Sequence, residues 1–271
     1  MPELPEVRTV AKYLRQNLTN KKVTKIEIIY GKTIDRSSLD INLLIGKVLK
    51  DILTKGKYLI FDFEEYYLIS HLRMEGKYFI KDINEEVVKH EHTIFEFDKL
   101  SLRYHDTRKF GRMQLINKKD LDQVKGLNTL APEPWDEGMT KEYLMSKLKA
   151  KRLPMKSVLL DQTILAGLGN IYADEVLFAT KINPLRLGKD ISIKEAEAII
   201  KASSEILAKA TEKGGTTIRS YTSSLGVEGS YQEFLKAHYR VGEKCFDCND
   251  TIIKIKVGGR GTYYCPTCQK L

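Results

Sequence analysis

The sequence predicts an α+β protein: an N-terminal antiparallel β-sandwich led by one helix, then a helical helix–two-turn–helix domain, then a zinc-finger β-hairpin. Three observations carry this. Eight short runs rich in β-branched and aromatic residues follow one another between residues 23 and 116, separated by brief turns. Beyond a proline-bearing stretch at 130–135 the periodicity becomes helical, and all four cysteines fall in the last 27 residues. Runs of strands followed by runs of helices favour segregated layers over parallel βαβ units.

The elements follow in order. Val7, Val10, Ala11, Leu14 and Leu18 recur at helical spacing opposite Arg8, Lys12, Arg15 and Gln16, which predicts an amphipathic helix over 6–18. Strands are expected at 23–30, 47–53, 58–63, 66–71, 77–80, 93–98, 100–105 and 112–116. Three polar loops interrupt them: Lys55-Gly56-Lys57, His71-Leu72-Arg73-Met74-Glu75-Gly76 and Asp106-Thr107-Arg108-Lys109-Phe110-Gly111. Helices are expected at 141–149, 155–161, 170–179 and 193–213, with Asn170 at an N-cap and Asp174 and Glu175 in the early turns. A helix, a tight link through Gly167 and Gly169, and a second helix N-terminus make a phosphate clamp. Residues 214–230 are polar, glycine-rich and aperiodic, the pattern of a functional loop. Domain boundaries are placed at 1–130, 131–235 and 236–271.

Charge narrows the partner. A net charge of +9 over 271 residues points to a polyanion, nucleic acid before an anionic membrane. Residues 236–271 alone hold seven Lys or Arg against three acids. No apolar run approaches the roughly 18 residues a spanning helix needs, and the acidic N-terminus is not a signal peptide. A cytoplasmic protein is expected. In a reducing compartment Cys245-x-x-Cys248 and Cys265-x-x-Cys268 read as ligands of one zinc ion rather than as disulfides. Four thiolates leave no position for water, so the expected ion is structural, with no catalytic metal.

The opening residues, Met1-Pro2-Glu3-Leu4-Pro5-Glu6, carry two readings. By themselves they read first as a helix start, with Pro5 in the first turn and Glu6 complementing the dipole. If Met1 is removed, however, Pro2 presents a secondary amine. An α-amino group titrates near about 7.7–8.0 against about 10.4 for lysine, so far more of it is neutral and nucleophilic at pH 7. Glu3 and Glu6 stand beside it to move protons.

Taken together, Pro2-Glu3-Leu4-Pro5-Glu6-Val7, Gly56-Lys57-Tyr58, His71-Leu72-Arg73-Met74-Glu75-Gly76, Arg108-Lys109-Phe110-Gly111, Gly167-Leu168-Gly169-Asn170-Ile171-Tyr172-Ala173-Asp174-Glu175 and Gly258-Gly259-Arg260-Gly261-Thr262 resemble the bacterial formamidopyrimidine-DNA glycosylase family over essentially the whole chain. The resemblance reverses the order of the two hexapeptide readings. It implies that Pro2 attacks C1′ of a damaged nucleotide, that Glu3 is the general acid, and that Glu6 holds the N-terminus or shuttles a proton. It implies a phosphate and proton-transfer role for Lys57 and a phosphate contact for His71. Met74, Arg108 and Phe110 would fill the gap left by a flipped nucleotide. Lys156, Asn170 and Arg260 would grip phosphates, and Thr216, Thr217, Arg219 and Tyr221 would close over the flipped base.

Three positions depart from the family pattern: Arg8 where an acid is frequent, Thr107 where proline or valine is common, and Leu130-Ala131-Pro132 where glycine usually precedes the proline. None is a proposed catalytic atom. The expected partner is damaged double-stranded DNA, bound by a monomer. The expected activity is excision of oxidised purines (8-oxoguanine and formamidopyrimidines) with β,δ-elimination at the abasic site. Two rivals remain at this stage: an endonuclease VIII-like glycosylase for oxidised pyrimidines, and a non-catalytic zinc-ribbon DNA-binding protein.

Overall fold

The structure is a computed structural model that describes residues 1–216 and 229–271. It divides into two compact units, Met1–Asn128 with Gly214–Gly229, and Thr129–Lys213 with Ser230–Leu271. Contacts group the chain differently from the division expected at 130 and 235. Residues 214–216 lie with the N-terminal unit, where Glu6 accepts the Thr216 backbone N–H. The zinc hairpin does not stand apart from the helices, because Phe178, Ala237, Ile252, Tyr263, Cys245 and Cys265 share one apolar cluster.

The first unit opens with helix α1 (Leu4–Leu18). Its buried stripe of Leu4, Val7, Val10, Ala11, Leu14 and Leu18 is at most 2% exposed. Burying one such valine or leucine is worth about 1.5–3 kcal/mol, so the stripe seats the helix against the strand Leu49–Lys55. An aspartate at Leu14 would unseat it. Strands β1 (Lys25–Ile28), β2 (Leu49–Lys55), β3 (Tyr58–Phe63), β4 (Tyr66–His71), β5 (Lys77–Asp82), β6 (Glu91–Phe97), β7 (Leu100–His105) and β8 (Arg112–Asn117) form two antiparallel sheets, ordered β1-β6-β7-β5 and β2-β3-β4-β8. Phe61, Phe63 and Leu68 from one sheet and Phe95, Phe97, Leu102 and Tyr104 from the other meet in one core. That is the sandwich the alternation predicts.

One strand begins earlier than its sequence suggests. β6 includes Glu91 and His92, both buried, because Glu91 lies 2.9 Å from Lys81 Nζ and 3.1 Å from the Arg103 guanidinium. His92 directs Nε2 at the Asp106 carbonyl, 2.7 Å away, so it is an internal side chain and not a surface contact.

The second unit holds α2 (Lys141–Leu148), α3 (Met155–Leu159), α4 (Asn170–Ala179) and α5 (Ile193–Glu212), followed by strands β9 (Ile253–Val257) and β10 (Arg260–Tyr264). Ser192 and Glu195 cap α5 reciprocally. The β9–β10 turn is Gly258-Gly259, both at positive φ (54° and 79°), as a two-residue type I′ hairpin requires. A Cβ at Gly258 would lie 2.6 Å from Ser157 Oγ, so the hairpin tip rests on α3. Among the described residues no helix is long and apolar enough to cross a membrane.

Candidate active site and DNA-contact residues

In the first unit the site is built around the start of α1. Glu3 is the N-cap and Glu6 the third helical residue, and each side chain takes the other's backbone N–H, with Glu3 N–H donating to Glu6 Oε2 at 2.9 Å. The second oxygen, Oε1, accepts Thr216 N–H at 2.7 Å. Pro2, Glu3 and Glu6 are all buried. The charges around the amino terminus are Glu3, Glu6, Glu75 and Lys57, and burial dominates them, holding the Met1 amine below its ordinary 8.0. The expected catalytic residues Pro2, Glu3, Glu6 and Lys57 thus come together. Lys57 follows Gly56, which is at φ +55°, in the two-residue turn between β2 and β3, and it is only 6% exposed.

His71 ends β4 beside this group. Its Nδ1 accepts the Arg73 N–H at 3.0 Å, and its ring meets Tyr58 edge-on, with centroids 4.5 Å apart. Burial first, then the Arg73 and Lys57 cations, push its pKa down to about 3. The ring is neutral at physiological pH, with its proton on Nε2, a donor fit for a phosphate oxygen.

Met74 lies half-buried in the loop after β4, while Arg108 and Phe110 are exposed in the loop after β7, the Arg108 guanidinium 4.9 Å from the Phe110 ring centroid. Thr107 donates a hydrogen bond to Glu75, joining the two loops. Lys109, between Arg108 and Phe110, turns away at φ +59° and sets its ammonium over Tyr30.

The second unit corrects two expectations. Asn170 is the first helical residue of α4 and Gly169 the N-cap; its amide donates to the Gly261 carbonyl at 3.0 Å, tying the helix to the hairpin beside exposed Arg260. Lys156, expected on a phosphate, is fully buried, its Nζ 2.6 Å from the Asn170 carbonyl and 2.7 Å from Asp174 Oδ1. A buried ammonium already bound by a carboxylate does not face outward; Lys156 instead ties the start of α4 to Asp174. Asp174 and Glu175, in the early turns of α4, are likewise internal. Asp174 Oδ2 lies 2.6 Å from His238 Nδ1, and Glu175 accepts the N–H groups of Lys236, Ala237 and His238 at 2.8–2.9 Å.

The four cysteine sulfurs lie within 4.8 Å of one another, with Sγ–Sγ separations of 3.8 Å for Cys245–Cys268 and 3.4 Å for Cys248–Cys265. A tetrahedron with Zn–S bonds of about 2.3 Å requires about 3.8 Å between sulfurs. Cys245, Cys248, Cys265 and Cys268 therefore fit one structural zinc ion. Four thiolates complete its coordination and leave no open position for chemistry.

Comparison with known proteins agrees in every segment. Residues 1–113 match the formamidopyrimidine-DNA glycosylase N-terminal domain, 130–222 the formamidopyrimidine-DNA glycosylase H2TH domain, and 242–271 the zinc finger found in FPG and IleRS. The formamidopyrimidine-DNA glycosylase of Ligilactobacillus salivarius is 47% identical over 272 residues, covering 99% of both chains. The chain belongs to the formamidopyrimidine-DNA glycosylase family. The corresponding protein of Listeria innocua is 41% identical over the full length of both chains. Among solved structures, a Lactococcus lactis FPG mutant in complex with a Fapy-dG containing DNA matches with a TM-score of 0.94 and 39% identity, covering all of both chains. The Lactococcus lactis enzyme with an abasic site containing DNA matches at a TM-score of 0.92 and 38% identity.

Within this family framework Thr216 is the described member of the expected base-binding loop, and Thr217, Arg219 and Tyr221 lie outside the described residues. The motif reading passed over Asp106, a buried carboxylate beneath Arg108 and Phe110. Its sequence signal was an aspartate opening a short glycine-closed loop, a common Asx-turn pattern.

Proposed function

We propose that this DNA glycosylase of base excision repair removes oxidised purines from duplex DNA through an iminium formed on Pro2, and then cleaves the abasic strand as a lyase. The observation that carries the reading is the buried amino-terminal seat: Glu3 and Glu6 capping one another, with Lys57 and Glu75 at the same amine. After removal of Met1, the Pro2 nitrogen occupies that seat. Burial of a terminal amine favours its neutral, nucleophilic form. The nitrogen lone pair attacks C1′ as the C1′–base bond breaks and the base leaves with a proton. Glu3 protonates the sugar ring oxygen, the ring opens, and an iminium forms. Loss of a C2′ proton expels the 3′ phosphate, and a second elimination expels the 5′ phosphate. Lys57 and His71 face the lesion phosphate; Met74, Arg108 and Phe110 fill the gap; Asn170 and Arg260 hold further phosphates. Thr216, Thr217, Arg219 and Tyr221 close over the base. The protein acts as a monomer in the cytoplasm, on damaged double-stranded DNA.

Borohydride reduction tests this chemistry. Met1-free protein should give a stable covalent adduct with lesion DNA at Pro2, and its absence overturns the mechanism and favours a non-catalytic DNA-binding protein. Paired 8-oxoguanine and thymine-glycol duplexes test the substrate class, and faster cutting of thymine glycol overturns the purine assignment.

A further inference from the structure

Asp106 stands at the root of the loop that carries Arg108 and Phe110, and it is wholly buried. Its Oδ1 accepts the Arg108 N–H at 2.9 Å, and its Oδ2 accepts the N–H groups of Phe110 at 2.9 Å and Gly111 at 2.8 Å. The Tyr104 hydroxyl donates to the same Oδ2 at 3.3 Å. The backbone of Asp106 is pinned as well, its N–H donating to the His90 carbonyl at 3.0 Å. Three amides of a short loop thus turn inward onto one side chain, and the two side chains they carry are exposed. Phe110 is 49% exposed, so little core packing holds it in place. The carboxylate does.

The Tyr104 side chain that donates to Asp106 also ties this loop to the one bearing Met74. A Cβ at Gly111 would lie 1.6 Å from the Tyr104 hydroxyl, and one at Gly76 would lie 2.4 Å from it. Tyr104 therefore backs both loops at once while bonded to Asp106.

We infer that Asp106 is the positioning residue for the gap-filling side chains, and so controls how well the base opposite the lesion is distinguished. This rests on the reading above that Arg108 and Phe110 enter the gap. The mechanism is geometric. An arginine donates only, and cytosine offers adjacent O2 and N3 acceptors where adenine sets an amino donor beside N1. Discrimination then depends on the guanidinium arriving in one place, which the three amide bonds to Asp106 determine.

The test compares wild type, Asp106→Asn, Arg108→Ala and the double variant in single-turnover excision of 8-oxoguanine opposite cytosine and opposite adenine. An asparagine has the same shape but one acceptor oxygen, so at least one inward N–H meets an amino group. The cytosine-to-adenine rate ratio should fall about tenfold in Asp106→Asn, the worth of one hydrogen bond to a charged group. The double variant should be no worse than Arg108→Ala alone. Borohydride trapping by Asp106→Asn on a single-stranded abasic site, which has no opposite base, should stay within about twofold of wild type, a readout that general misfolding would lower. An unchanged ratio in Asp106→Asn, with the ratio collapsed in Arg108→Ala, overturns the inference. An unchanged ratio in Arg108→Ala instead overturns the gap-filling reading beneath it. If Asp106→Asn does not fold, Tyr104→Phe, which removes one hydroxyl from the same carboxylate, carries the test: a reduced ratio supports the inference and a wild-type ratio overturns it.

Discussion

The carboxylate of Glu6 accepts the backbone N–H of Thr216 at 2.7 Å, across 210 positions of sequence. Its other oxygen holds the Glu3 N–H at 2.9 Å, so one side chain joins the amino-terminal seat to the segment that precedes residue 217. The contact leaves no room beside it: a Cβ on Gly215 would lie 2.6 Å from Glu6 Oε1, and Gly215 adopts φ +81°. Glu6→Gln turns one acceptor into a donor facing an N–H, at a cost of about 1–3 kcal/mol. Gly215→Ala adds a steric clash to left-handed strain of about 1 kcal/mol. Both variants should show lower urea midpoints and slower single-turnover excision. A Glu6→Gln protein with wild-type stability and rate would remove Glu6 from this structural role.

His71 makes a prediction about pH. Its folded pKa is held near 3, below the ordinary 6.5. The unfolded chain therefore takes up a proton, as pH falls below about 6.5, that the folded ring refuses until about 3. Stability is unaffected by this group above pH 6.5 and is progressively lost between 6.5 and 3. His71→Asn should flatten that part of the melting temperature against pH, and the His71 ring resonances should stay constant from pH 8 to 5. A ring titrating near 6.5 would refute the neutral-donor role.

What could be read from the sequence divides along a physical line. Strands β3 and β4 fall where alternation and their bounding turns put them, because those signals are local. The buried polar groups were not legible. Glu91, Arg103 and Lys156 look like surface charges until their partners are known, and those partners lie 10 to 18 positions away in the chain. The same holds for the site. The motifs identify Pro2, Glu3 and Arg108 as residue types in order, whereas the three-amide grip of Asp106 exists only once the loop is folded. Residues 214–216 lie with the first unit, where Thr216 donates to Glu6 across 210 positions, a contact that no local pattern announces.

Lys156 separates a structural cation from a DNA contact. Its ammonium and the Asp174 carboxylate are both fully buried, 2.7 Å apart. Lys156→Met leaves that carboxylate without its cation, at a cost of about 3–5 kcal/mol. A surface lysine bound only to phosphate would cost within about 0.5 kcal/mol on removal. Denaturant unfolding should therefore show a large loss. In whatever fraction remains folded, the slope of log affinity against log salt should match wild type, since losing a phosphate contact lowers that slope by about one. A stable variant with a reduced slope would restore the direct contact.

Metal removal should reach beyond the hairpin that the four thiolates bind. Cys265 N–H donates to Gln269 Oε1 at 2.9 Å, Gln269 in turn donates to the Ile182 carbonyl at 2.9 Å, and Asn183 donates to the Gln269 carbonyl at 2.7 Å. On β10, Tyr263 N–H donates to Asp174 Oδ2 at 3.2 Å, and Asn170 holds the Gly261 carbonyl. The ion thus stabilises the end of α4 and the start of α4 through separate bonds. Because the site does not exist in the unfolded chain, the free energy of metal binding is folding free energy. Purified protein should contain one zinc per chain. Stripping it, or substituting Cys268→Ser, should lower the melting temperature of the whole helical unit, weaken binding to lesion-free duplex, and change the tyrosine near-ultraviolet dichroism. If the metal-free protein kept its melting temperature and lost only the Tyr263 and Tyr264 signal, the zinc would be stapling the hairpin alone, and the coupling through Gln269 and Asp174 would be too weak to matter.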